Sequence, residues 1–123
     1  MKYLGLDWGE SKIGVALGSD EMKIASPLCV VKEINEINEI IQTEEIEAVV
    51  LGRPIHMSGE DNLPPALEKF SQEIKKLGVK IFWEDERLTT FHAKNVNREM
   101  NTKRKSDDDV AAAAILQTYF DKM

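Results

Sequence analysis

Two short apolar runs, residues 48–52 (AVVLG) and 79–83 (VKIFW), each follow a stretch of helical periodicity, and this alternation is the strongest constraint on the fold. Short apolar runs bounded by glycine or charge read as strands buried on both faces, as in a parallel sheet. A helix between two such strands implies parallel neighbours joined by a crossover. In the first helical stretch Ile34, Ile37 and Ile41 share a face, with Ile40 beside them and glutamates opposite. The EINEINEI repeat there reads as a solvated amphipathic helix. Pro64-Pro65 opens the second helix, Leu67, Phe70, Ile74 and Leu77 mark its face, and Gly78 is placed to cap it.

The first third of the chain has a different period. Residues 2–7 and 12–18 read as strands joined by the turn 8–11, close enough for an antiparallel hairpin. A third extended run, 23–31, contains Pro27, which places it at a sheet edge or makes it irregular. Past residue 83, Thr89 or Thr90 can cap a helix to about Met100, and a basic loop spans 101–106. Ser106 or Asp107 caps a last, alanine-rich helix ending near Phe120. The order is β-β-β-α-β-α-β-α-α. With 123 residues, one domain over 1–123 accounts for the whole chain.

Composition excludes several classes. One cysteine makes no intramolecular disulfide, so a reducing compartment is expected. The start of the chain reaches Asp7 too early for the apolar stretch of a signal peptide, and no run is long enough for a transmembrane helix, so a cytoplasmic protein without membrane attachment is expected. The net charge of −6 argues against nucleic acid as a partner until its distribution is considered. Residues 33–47 hold six glutamates and no basic residue, which equals the whole net charge. Residues 92–106 carry five basic residues and one acid, a local +4. The acidity is segregated, and a basic surface remains available.

Three acidic positions lie where element ends could project side chains into a common crevice: Asp7 closing the first strand, Glu86 just past the last strand, and Asp108 opening the last helix. Ligand sites in sheets with parallel strands form beyond the carboxyl ends of those strands. Carboxylates gathered there repel one another unless a divalent cation neutralises them, and oxygen-only ligands favour Mg2+ or Mn2+. Such a centre suits attack of water on a phosphodiester. Each acid also has a plainer reading. Asp7 could be a turn acid, Asp107-Asp108-Asp109 an N-cap with favourable macrodipole charge, and Glu84, Asp85 and Glu86 a solvated strand end.

At these residues the chain resembles the YqgF/RuvX family of RNase H-like proteins, whose members are described as Holliday-junction resolvases or pre-16S rRNA nucleases. The resemblance runs nearly end to end. Leu4-Gly5-Leu6-Asp7-Trp8-Gly9 with Lys12-Ile13-Gly14-Val15-Ala16 resembles the family's first hairpin, followed by Ser19-Asp20. Ala25-Ser26-Pro27-Leu28, Gly52-Arg53-Pro54 and Met57-Ser58-Gly59 follow in order. Asp85-Glu86-Arg87-Leu88-Thr89-Thr90 with Ala93 is the most specific block, and Asp108 with Ala111-Ala112 and Ile115-Leu116-Gln117 resembles the last helix. Trp8 and Lys12 depart from the pattern, where a smaller residue and an arginine are usual.

The resemblance implies a single RNase H-like domain over residues 1–123. Its five-stranded mixed sheet would combine an antiparallel three-strand meander with two parallel strands, and helices would cover both faces. It implies catalytic and metal-binding acids at Asp7, Glu86 and Asp108, with Glu86 ahead of Asp85 and with Asp109 as the alternative to Asp108. It also tilts the expected substrate towards precursor 16S rRNA, with branched DNA as the alternative. Lys12, Arg53, Lys103, Arg104 and Lys105 are candidates for holding the phosphate backbone.

Arg53 could equally make a surface ion pair, and Arg87 is expected to pair with Asp85 or Glu84. His56, His92 and Cys29 lack metal-ligand spacing, so Cys29 reads as a small buried residue. Trp8 and Trp83 read as packing residues, although Trp8 could stack on a base. Two other classes compete with a nuclease. A non-catalytic binding module has no need of an acid triad facing a polyanion. An actin/sugar-kinase-like phosphotransferase, which Asp7-Trp8-Gly9 with Gly14 resembles, needs two domains. A junction resolvase would act as a symmetric homodimer, yet no apolar stripe marks a dimer face, so monomer and dimer both stay open.

Overall fold

The computed structural model describes residues 1–54, 63–85 and 108–123. Strands β1 (Lys2–Trp8), β2 (Ile13–Ser19) and β3 (Ile24–Val31) form an antiparallel meander. β4 (Ala48–Arg53) pairs parallel with β1, and β5 (Lys80–Asp85) pairs parallel with β4. The order across the sheet is β3-β2-β1-β4-β5. Helices α1 (Ile34–Glu44) and α2 (Pro65–Lys75) pack on one face, and α3 (Asp108–Asp121) packs on the other. This is the mixed sheet with helices on both faces that the sequence predicts. The helix expected over 89–100 and the loop at 101–106 lie outside the described residues.

β1 is central, and its two faces are buried in different ways. Leu4 and Leu6 point to the α1/α2 side, where Val15, Val49, Leu51, Ile37, Ile41, Leu67, Phe70 and Ile74 complete a core of branched side chains. Tyr3 faces α3 with Ala16, Ala48, Val50, Ala112 and Leu116. That second face is built from small residues. A Cβ added at Gly5 would lie 2.6 Å from the carbonyl oxygen of Ala112, and one at Gly14 would lie 1.9 Å from that of Asp108. Helix backbone therefore rests directly on strand backbone. This explains the alanine run of α3, because only short side chains permit so close an approach. Tyr3 against Phe120, edge to face at 5.4 Å, and Phe82 beside Tyr119 anchor the far end of the helix.

β3 is an edge strand, as Pro27 predicts. Its free side is partly closed by Gln117 of α3, whose side-chain oxygen accepts the Ala25 N–H at 2.9 Å and whose NH2 donates to the Lys23 carbonyl at 2.8 Å. The amide mimics a neighbouring strand and occupies groups that would otherwise recruit another chain. α1 starts with the Glu36 carboxylate accepting the N–H groups of Lys32 and Glu33 at 2.8 and 3.0 Å, which holds its pKa below the usual carboxylate range.

Several boundaries differ from expectation. Trp8 extends β1 into the expected turn, β5 runs on through Asp85, and Arg53 extends β4 past the apolar run 48–52, because its backbone continues the ladder opposite Asp85. α2 stops at Lys75, and Leu77 reaches the core from the turn that follows, where Gly78 takes φ +88.

Candidate active site

The carboxyl ends of β1, β4 and β5 lie at one edge of the sheet and carry Asp7, Arg53 and Asp85. Asp7 is half-buried and stands opposite Gly14 in the β1–β2 ladder. α3 begins over the same Gly14, so its first residues stand beside Asp7. Strand β1 and helix α3, 101 positions apart in sequence at Asp7 and Asp108, thus converge because β2 has no side chain between them. The positive end of the α3 macrodipole favours the negative charge collected there.

The Asp108 carboxylate is 28% exposed and lies 3.5 Å from the Lys12 ammonium. Lys12, expected to hold a phosphate, is therefore placed at the acids themselves. Asp109 is buried, at 6% exposure, and its carboxylate accepts the N–H of Val110 at 3.0 Å. Its spacing from Ala112, Leu116 and Phe120 puts it on the stripe of α3 that meets the sheet. Both aspartates weighed from sequence are thus at this end of the sheet, one accessible and one enclosed.

Asp85 and Arg53 are not brought to the same face. Ile81 and Trp83 of β5 pack with the α1/α2 core, and Phe82 packs towards α3. Alternation then turns Glu84 towards α3 and Asp85 away from it. In β4, Val49 and Leu51 face α1/α2, so Arg53 shares that side, opposite to the one Asp7 faces. Glu86, Arg87, Lys103, Arg104, Lys105, His56 and His92 lie outside the described residues.

The solvated strand end expected at Glu84 is not what forms. Glu84 is 4% exposed, and its carboxylate accepts hydrogen bonds from the Lys122 ammonium at 2.5 Å and the Asp85 N–H at 3.2 Å. Its place two residues after the inward Phe82 was the available signal, but nothing in the sequence marks Lys122 as its partner. Removing that cation leaves a buried carboxylate short of a donor. Lys122→Met is expected to cost about 1–2 kcal/mol, a figure kept low because the lysine is itself largely exposed. Adding Glu84→Gln should recover much of the loss, which a double-mutant cycle of thermal melts would measure. Trp8 packs partly against the α1/α2 core, on the face away from Asp7. Cys29 is half-buried, and burial pushes its thiol pKa up, away from nucleophilic use.

The donor set at this edge is all carboxylate oxygen, which suits Mg2+ or Mn2+ and not a soft metal. Among the described residues, no group of three or more His, Cys, Asp and Glu side chains could hold an ion. Of the three acids expected as ligands, Asp7 and Asp108 are among the described residues and Glu86 is not.

The meander extended by two parallel strands, with a helix delivering acids to the end of β1, defines an RNase H-like protein. The fold matches that of Thermus thermophilus RuvC in complex with a Holliday junction substrate, with a TM-score of 0.61 at 18% identity over 98% of this chain and 94% of that one. The family is narrower than the fold. The RuvX family model, described as Holliday junction resolvase, matches residues 1–122, and the chain belongs to this nuclease family. Among curated relatives, a protein of Rickettsia africae named "Putative pre-16S rRNA nuclease" is 36% identical over 135 residues, covering 98% of this chain and 86% of its own. One of Anaplasma marginale with the same name is 36% identical over 132 residues, covering 98% and 84%.

Proposed function

We propose that the chain, as one RNase H-like domain over residues 1–123, is a divalent-metal-dependent endonuclease that trims the 5′ end of precursor 16S rRNA in the cytoplasm. The observation that carries this reading is the seating of the α3 N-terminus on Gly14, which sets Asp108 and Asp109 beside Asp7. Asp7, Glu86 and Asp108 are the proposed ligands. Asp108 ranks ahead of Asp109 because its carboxylate is accessible, and Glu86 ranks ahead of Asp85 because Asp85 turns to the opposite face. Bound Mg2+ or Mn2+ would supply Lewis acidity and an ionised water at neutral pH. The protein's own part is to fix the acids on rigid elements and to place Lys12 where a phosphate approaching them loses a negative neighbour.

The rRNA assignment follows the relatives' names. The family description and the RuvC fold support a second reading, resolution of branched DNA, for which a homodimer is the expected form. Purified protein with Mg2+ or Mn2+ should cut a 5′-extended 16S precursor at a defined position and leave a four-way junction intact. Symmetric nicking of the junction, with the precursor untouched, would reverse the assignment.

Substrate affinity is expected to rest on local charge. Replacing Lys103, Arg104 and Lys105 with alanine should weaken RNA binding and lower the slope of log K against log salt by roughly two, at about 0.7–0.9 for each phosphate no longer neutralised. An unchanged slope in filter-binding titrations would move the phosphate-binding role to Lys12 and Arg53.

A further inference from the structure

The exposed apolar side chains of this protein are concentrated on β3 and the turn before it. Five large hydrophobic residues are exposed among the described residues, and four of them, Met22, Ile24, Leu28 and Val30, belong to β3 or the turn before it. For Leu28 the reason is local. Val15 pairs with Cys29 but Ala16 pairs with Pro27, so Leu28 is left out of the ladder in a bulge and stands 43% exposed. Between this bulge and α1 runs an open groove of about 390 Å3, floored by Leu28, Cys29 and Ile40 and rimmed by Glu36, whose carboxylate also holds the Lys32 and Glu33 N–H groups, by Glu39, and by Glu44, which pairs with Lys2 at 3.7 Å. The rim belongs to the 33–47 segment that carries six glutamates and no basic residue.

We infer that this groove docks a basic, amphipathic segment of a protein partner, with apolar side chains on the Leu28–Ile40 floor and lysine or arginine against the glutamate rim. An apolar patch inside a polar rim is the ordinary make-up of a recognition surface. Its charge selects the occupant. A nucleic acid would meet a row of carboxylates, and a second copy docked by the same face would set acidic rim against acidic rim. Addition of a strand to β3 is hindered by Pro27 and by Gln117, which already holds the Ala25 N–H and the Lys23 carbonyl. Side-chain anchoring in the groove remains, as when an amphipathic helix lies in an apolar cleft. The groove lies on the α1/α2 side of the sheet and the acids face α3, so the partner and a nucleic-acid substrate can be held together. This inference does not depend on the nuclease reading.

The test is a fluorescence-anisotropy titration with a labelled 18-residue synthetic helix, leucine along one face and lysine along the other. Its controls are a version with glutamate for lysine and a lysine homopeptide of equal charge. Wild type should bind the leucine–lysine helix at least tenfold more tightly than either control. Leu28→Ser and Glu39→Lys should each weaken binding about fivefold or more, since each removes one anchor worth about 1 kcal/mol. Both variants should keep the wild-type circular dichroism and cleavage rate. Equal binding of either control, or an unchanged affinity in Leu28→Ser, would overturn the proposal. A concentration-dependent dimer abolished by Leu28→Ser would also overturn it, by assigning the groove to a second copy. A loss of RNA affinity in Leu28→Ser would do so by assigning the groove to nucleic acid.

Discussion

Asp7→Asn is expected to abolish metal-dependent cleavage and, in chelator at neutral pH, to unfold at a higher temperature than wild type. Asp7 shares its edge of the sheet with Asp108 and Asp109, and the Lys12 ammonium is placed against Asp108. Like charges so gathered repel one another, and folding must hold them together. Asparagine keeps the shape and removes one charge. A gain of about 1 kcal/mol would raise the melting temperature by roughly 3–6 °C in a domain of this size. The same substitution removes a proposed ligand, and a rate loss of about a thousandfold corresponds to about 4 kcal/mol of lost transition-state stabilisation. Mg2+ or Mn2+ should narrow the stability gap, because an ion bound at a hundred times its Kd adds about 2.7 kcal/mol to wild type. A variant less stable in chelator would make Asp7 a structural acid, and one that cleaves at the wild-type rate would move the metal centre elsewhere.

Gly14→Ala should damage the site without touching any acid. The new methyl would fall 1.9 Å from the Asp108 carbonyl oxygen and 2.8 Å from the Asp109 nitrogen, and both are backbone atoms that no rotamer change can clear. Either the start of α3 moves outward or the β1–β2 hairpin bends. Overpacking of this kind costs about 1–3 kcal/mol, so a melting temperature lower by about 5–15 °C is expected. Displacing Asp108 by about 1 Å relative to Asp7 should slow cleavage about a hundredfold in protein that is still folded. Wild-type stability together with wild-type rate would show that α3 does not seat on β2 as described.

The sheet was legible because hydrophobic period and chain punctuation agree. Tyr3, Leu4 and Leu6 mark β1, Pro27 marks an edge, and two apolar runs between amphipathic helices mark β4 and β5. Less legible was how α3 is oriented. Its Val110-Ala111-Ala112-Ala113-Ala114-Ile115-Leu116 run is apolar all round, so sequence alone does not separate the stripe that meets the sheet from the rest. Only the seating of the helix on Gly5 and Gly14 separates the accessible Asp108 from the enclosed Asp109. Burial of Glu84 was hidden for a different reason, since its cation lies 38 positions away and no local pattern encodes the pair. Arg53 extends β4 one residue past the apolar run, because ladder pairing with Asp85 outweighs the loop signal of the following Pro54.

The proposed cation site joins Asp7 and Glu86, from strand ends, with Asp108 at the start of α3. Titration of Mn2+ into the protein, following the free-ion electron paramagnetic resonance signal, tests it without a substrate. Wild type should remove Mn2+ from solution with a defined stoichiometry. Asp7→Asn, Glu86→Gln and Asp108→Asn should each weaken binding by at least about tenfold, while Asp85→Asn, on the opposite face, should bind as wild type does. Wild-type affinity in both Asp7→Asn and Glu86→Gln, or loss of binding only in Asp85→Asn, would contradict the site.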